Sequence, residues 1–204
     1  MGQITGITQK TENRFVNLYE LETIKKTGKP GRYFVSSRAK NADELKIRTR
    51  DDHPDGVMIY MLYGEKKDRI VLVRQYRFAI DDYIYELPAG LCEKGESYRD
   101  SAVREAKEET GLTMTPIEVP VGFEKPYYMT VGMTDECVAF VYGFGEGEIT
   151  DKYLESGEEI EVILADREEA RRILREEKAA MTCAMSLMHF IHDEEPFAFL
   201  RETL

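Results

Sequence analysis

Nine residues in one short window constrain this chain more than anything else in it. Gly90, Glu96, Arg104, Glu105, Ala106, Glu108, Glu109, Gly111 and Leu112 stand at the spacing G-x5-E-x7-R-E-U-x-E-E-x-G-U, where U is apolar. Gly is only about 7% of average sequence and the charged types are comparably scarce, so nine joint matches arise by chance on the order of once in a billion windows. Ser97, followed three residues later by Asp100, is a capping-box signature, and Gly111 suits a left-handed C-terminal stop. The spacing therefore predicts a helix between them. On that helix Glu105 and Glu109 lie one turn apart with Glu108 beside them, while Ala102, Val103 and Ala106 turn toward a core.

Three like charges on one helix face repel, and a cation among them relieves the repulsion. Ligands that are all carboxylate oxygen, with no Cys or His nearby, select a hard ion, Mg²⁺ or Mn²⁺, over zinc. Arg104, spaced i,i+4 from Glu108, can orient one carboxylate while the others face the metal. In a chain with 39 acidic and 28 basic residues, a bare acidic cluster is ordinarily a solvated surface. The two flanking glycines and the upstream Glu96 argue for a built site.

With 204 residues and 42% apolar content, the chain suits one catalytic domain with an appendage. No apolar run approaches the roughly 18 residues of a membrane span. The polar stretch Met1 to Lys10 resembles neither a signal nor a transit peptide, so a cytoplasmic protein is expected. Cys92, Cys137 and Cys183 are odd in number and lack metal-type spacing, which fits reduced thiols. A net charge of −11 argues against nucleic acid as the main partner, because that binding neutralises phosphates with Lys and Arg. An anionic substrate then needs local compensation by metal and arginine.

Residues 1–50 read as a β-rich appendage to a main domain at 51–204. Arg14 to Leu21 alternates, the cluster Thr27 to Gly31 is a turn, and Tyr33 to Ser36 resumes a strand. So thin a hairpin cannot bury both faces alone and must lean on the main domain or on a second subunit. Val57 to Tyr63 and Ile70 to Val73 read as buried neighbouring strands, and Tyr83 to Leu87 as a third, stopped by Pro88. Further strands are expected at Ile117 to Phe123, Glu136 to Phe144 and Ile160 to Leu164, with loops at 124–135 and 143–159, the latter mobile over the site. Helices are expected at 166–176 and 179–191, the second with Met181, Met185 and Met188 as core filler and His189 and His192 in a dipole contact at its end. Strands on both sides of the central helix imply a mixed sheet covered by helices on both faces.

The window from Gly90 to Leu112 matches the Nudix box at every position, and the chain resembles the Nudix hydrolases, which cleave a nucleoside diphosphate linked to another group. Arg74-Gln75-Tyr76-Arg77, Glu86-Leu87-Pro88-Ala89-Gly90 and Pro126, 15 residues after Gly111, resemble the ADP-ribose pyrophosphatase branch, which includes other nucleotide-sugar hydrolases. Asp52 to Val57 is similar to that branch's approach to its core sheet, and the N-terminal hairpin to its dimerising extension. The resemblance implies an α/β fold, a Nudix α/β/α sandwich with a mixed sheet and an N-terminal β-hairpin extension, working as a homodimer. It makes Glu105 and Glu109 metal ligands, joined by the backbone carbonyl of Ala89 and by Glu108 or Glu96. Arg77, Glu86 and Arg48, with Arg74 and Glu136, would contact substrate, some across the dimer. Without the family, Arg74 and Arg77 are strand-end surface charges and Glu86 a partner for one of them.

Two departures stand out. Thr130-Val131-Gly132-Met133-Thr134-Asp135-Glu136 replaces the Ser-Pro-Gly that often precedes a Thr or Ser and an acid in the family, which bears on substrate choice. In the acidic loop, Glu155-Ser156-Gly157-Glu158-Glu159, Glu158 fits a family ligand while Ser156 falls where an acid is expected. The general base stays open between Glu155 and Glu158, with Glu136 behind them. The candidate catalytic set is therefore Arg104, Glu105, Glu108, Glu109, Glu155 and Glu158. The implied reaction is Mg²⁺-dependent hydrolysis of ADP-ribose to AMP and ribose 5-phosphate. Its rivals are another nucleotide sugar such as GDP-mannose, or a nucleotide-binding sensor on a retired scaffold, which the intact Glu105, Glu108 and Glu109 oppose.

Overall fold

The two strongest apolar runs carry too few polar residues for a sheet with one wet face, and both become strands covered on two sides. The computed structural model describes residues 2–201. In chain order its elements are β1 (Gln3–Gln9), β2 (Asn17–Ile24), β3 (Pro30–Ser37), a 3-10 turn (Ala42–Glu44), α1 (Lys46–Thr49), β4 (Gly56–Tyr63), β5 (Arg69–Arg77), β6 (Asp82–Glu86), β7 (Ala89–Leu91), α2 (Tyr98–Thr110), β8 (Thr113–Pro116), α3 (Val121–Glu124), β9 (Tyr127–Tyr128), β10 (Cys137–Glu146), β11 (Ile160–Ala165), α4 (Arg167–Glu176), α5 (Met181–His192) and a 3-10 turn (Ala198–Arg201). They divide into two compact units: residues 1–55 with 126–138, and residues 56–125 with 139–204. Met1 and residues 202–204, the outer ends of the two expected domains, lie outside the described residues.

The larger unit is built on a mixed sheet ordered β11-β5-β4-β10-β8, with β6 on β5 and β7 on β4. Strand alternation sorts its two faces. Val57, Ile59 and Met61 of β4 and Val71 of β5 pack with Ala102 and Ala106 of α2, whereas Tyr60, Leu62, Ile70 and Leu72 pack with Ile173 of α4 and Leu187 and Phe190 of α5. Helices on both faces complete the expected α/β/α sandwich. Among the described residues no helix is long and apolar enough to cross a membrane.

The smaller unit is a three-stranded antiparallel sheet, β1-β2-β3, around Tyr19, Leu21, Val35 and Leu45. It therefore exceeds the expected hairpin by one strand. β1 reads as polar because none of its residues is fully buried. Segment 126–138 belongs here: Ser36 N–H donates to the Met133 carbonyl (2.8 Å), Cys137 N–H to Asp55 (2.9 Å), and Arg38 pairs with Glu136 (3.0 Å). Within it β9 pairs with the first two residues of β10.

Three local expectations give way to packing. The strand placed at Ile117 to Phe123 lies earlier, at β8, because the chain enters the sheet straight from Gly111; Pro116 and Pro120 then bracket its exit into α3. The loop expected from Gly143 begins only after Glu146. Gly143 and Gly145 are strand residues, where a Cβ would meet the Thr115 carbonyl (2.6 Å) and the Met61 sulfur (2.8 Å). Met181, Met185 and Met188 are 77%, 60% and 49% exposed, not core filler. The buried stripe of α5 is Cys183, Leu187 and Phe190, two positions from the methionine stripe and so roughly opposite it around a helix of 3.6 residues per turn. His189 meets Asp193 (2.9 Å) and the Tyr60 hydroxyl (3.2 Å) at the end of that helix.

Candidate active site

Helix α2 is fixed at both ends as its sequence predicts. Asp100 N–H donates to the Ser97 hydroxyl (3.2 Å), and Gly111, at φ 75, donates its N–H to the Lys107 carbonyl (3.0 Å). Beneath the helix β7 pairs with β4, Met58 opposite Ala89 and Val57 opposite Gly90. That pairing brings the Ala89-Gly90 backbone under the acidic face. A Cβ at Gly90 would overlap the Glu105 carboxylate, so a side chain there displaces Glu105.

One guanidinium organises the acids. Arg104 donates to both oxygens of Glu96 (3.2 and 3.1 Å), to Glu105 (2.7 Å), to Glu108 (2.8 Å) and to the Leu91 carbonyl (2.9 Å). Glu96 also accepts from the Ser101 hydroxyl (2.7 Å), and Arg104 and Ser101 together pull its carboxyl down to about 2. Burial pushes Glu105 upward despite its contact with Arg104, with Glu108 and Glu158 adding repulsion. Glu109 is 7% exposed and, among the described residues, receives only the Ala89 N–H (3.0 Å). Its burial, aided by Glu105 and Glu158, raises it to about 8, against the opposing pull of that N–H and of Arg77.

The other expected site residues divide between the units. Arg77 pairs with Glu86 (2.7 Å), and its charge reaches Glu109. Arg74 meets Glu161 (3.4 Å) and stacks over the Tyr83 ring at 4.2 Å. Glu155 and Glu158 close a turn in which Glu155 N–H donates to the Glu158 carboxylate (3.2 Å), and Glu158 acts electrostatically on both Glu105 and Glu109. Arg48, exposed on α1, and Glu136, paired with Arg38, belong to the smaller unit. Sequence reasoning passed over Ser101 and Tyr83. Ser101 stands five residues after Glu96 and carried a signal; Tyr83 carried none.

The donor set fits a hard divalent cation. Glu109 is a buried carboxylate with no cation bonded to it among the described residues, beside a second acid of raised pKa, and the donors that Glu105, Glu108, Glu109 and the Ala89 carbonyl offer are all oxygen. Among the described residues no three His, Cys, Asp or Glu side chains already gather as a cage; Arg104 draws Glu105 and Glu108 onto itself.

A family model described as the NUDIX domain matches residues 52–186. The chain is 32% identical over 127 residues to the methanol dehydrogenase activator of Bacillus methanolicus, covering 62% of this chain and 65% of that protein. It is 32% identical over 123 residues to the ADP-ribose pyrophosphatase of Bacillus subtilis (strain 168), covering 60% of this chain and 63% of the relative. It thus spans less than two thirds of either relative's own length. A crystal structure of an ADP compounds hydrolase shares the fold at 14% identity and a TM-score of 0.66, over 93% of this chain and 91% of that one. The domain match covers well over half of the sequence, and with it the chain belongs to the NUDIX domain family.

Proposed function

We propose that this chain hydrolyses the pyrophosphate bond of a nucleoside diphosphate sugar, taking ADP-ribose to AMP and ribose 5-phosphate with Mg²⁺ or Mn²⁺. The observation that carries the reading is Glu109, buried beside Glu105 and bonded to no cation among the described residues. The relative named as an ADP-ribose pyrophosphatase supports the substrate. Glu105, Glu108, Glu109 and the Ala89 carbonyl would hold the metal. When bound, such an ion neutralises diphosphate oxygens and acidifies a coordinated water.

The chain's own residues do the rest. Ser101 steadies Glu96, Glu96 holds Arg104, and Arg104 fixes the acidic face. Arg77, steadied by Glu86, offers a cation to the anionic substrate. Glu158 takes the proton of the attacking water as the water oxygen bonds to phosphorus and the bridging P–O bond breaks, a contribution of typically 10²–10⁴-fold. Glu155 supports Glu158 through the turn they share. Residues 1–50 serve as a dimerising extension, and the exposed Phe15 and Phe34 on it support that role. None of Cys92, Cys137 and Cys183 forms a disulfide among the described residues, which suits a reducing cytoplasm.

The test is a panel of nucleotide sugars with Mg²⁺ and a coupled phosphatase that releases phosphate from the monoester products. ADP-ribose should give the highest kcat/KM, and Glu109→Gln should lower kcat about a hundredfold. Silence on every diphosphate sugar would end the reading.

A further inference from the structure

Tyr83 bonds to the residue next to the proposed general base, although it lies on a strand that does not touch β11, the strand that the base leads into. β5 separates the two: it pairs with β6 on one edge, Tyr76 opposite Tyr83, and with β11 on the other, Ile160 opposite Gln75. One step before that ladder, Glu159 falls opposite Tyr76. Tyr83, Tyr76 and Glu159 thus form one row across the sheet, and the Tyr83 hydroxyl spans it by donating to the Glu159 carboxylate. Arg74 holds the ring from the next position on the same side, stacked on Tyr83 at 4.2 Å and paired with Glu161 at 3.4 Å.

Alternation gives this row its consequence. Ile163, of the same parity as Glu159 and Glu161, packs toward the face of α4 and α5; Val162 and Leu164, of the same parity as Glu158, pack toward the face of α2. Holding Glu159 on one face therefore turns Glu158 to the other, where its charge acts on Glu105 and Glu109. We propose that Tyr83 is a positioning residue: its hydroxyl latches Glu159 across β5, and the latch sets Glu158 toward the carboxylate site. This rests on the proposed role of Glu158. It also gives Arg74 a place in the latch, steadying the Tyr83 ring.

Tyr83→Phe removes the hydroxyl and keeps the ring, so the Arg74 stack and the fold persist. With the full chain, Mg²⁺ and ADP-ribose, kcat should fall about tenfold with KM within twofold, the mark of a displaced base rather than lost substrate binding. Glu159→Ala should match Tyr83→Phe, whereas Glu159→Gln, whose amide oxygen still accepts the hydroxyl, should restore activity. In a Glu158→Gln background Tyr83→Phe should cost nothing further. If the wild type turns over and Tyr83→Phe stays within twofold of its kcat, the latch is wrong while the hydrolase reading stands. Amide hydrogen exchange judges the latch without turnover: residues 155–159 should exchange several-fold faster in Tyr83→Phe, and unchanged exchange overturns it even if the wild type is inert on every substrate.

Discussion

Glu109 and Glu96 sit within one helix length of each other and are held at opposite ends of the carboxylate range. Arg104 and Ser101 keep Glu96 ionised down to about 2, while burial holds the proton on Glu109 up to about 8. The folded-state value of Glu109 lies above its ordinary 4.5, so the fold loses stability progressively as pH rises between those values, where the unfolded chain gives up this proton and the folded one keeps it. Metal-free Glu109→Gln should therefore melt higher than the wild type at pH 9 and no higher at pH 4, by roughly 2–4 °C per kcal/mol recovered. Equal melting temperatures at pH 9 would refute that burden. Adding Mg²⁺ should raise the wild-type melting point at pH 9 and leave that of Glu109→Gln nearly unmoved, which differential scanning fluorimetry reads directly. The cluster itself is legible in the sequence, since helical spacing places Glu105, Glu108 and Glu109 together. The reach of Arg104 to Glu96, eight residues upstream, is not, because it depends on the turn that Gly95 makes at φ 88.

Two glycines serve the acidic helix, Gly111 ending it and Gly90 lying beneath it on β7, and they fail differently when changed. Gly111→Ala strains a left-handed cap and should cost about 1 kcal/mol or more, lowering the melting point by roughly 2–4 °C with little change in kcat. Gly90→Ala places a methyl group where the Glu105 carboxylate lies, so kcat should fall at least about tenfold. A Gly90→Ala enzyme of normal kcat would refute that close approach. Elements were legible wherever one period dominated: β4, β5, β11, α2 and α4 all lie within a few residues of their expected places. Two apolar stripes compete on α5, and spacing alone cannot say which the sheet selects. The choice falls to Leu187 and Phe190. β1 escaped notice because its pairing is made of backbone bonds that leave no apolar signature.

At the scale of the whole molecule, Ile4, Phe15 and Phe34 are 48%, 66% and 49% exposed on the smaller unit. Light scattering on the full chain should give twice the monomer mass, and Phe15→Asp with Phe34→Asp should return it to the monomer; a monomeric wild type would remove the dimerising role. The α/β/α order was readable because each of its main strands and helices is a single stretch of sequence with one dominant period. The smaller unit was only half readable, since residues 126–138 join it from beyond α2. That discontinuity governs birth as well as form. On the ribosome the first 55 residues cannot complete their fold until the segment that Ser36, Arg38 and Asp55 bind has emerged, about 80 residues later and several seconds at roughly 5–20 residues per second. Residues 2–55 wait unfinished while α2 is still being made, and slowing translation over residues 56–138 should lengthen their exposure to proteases.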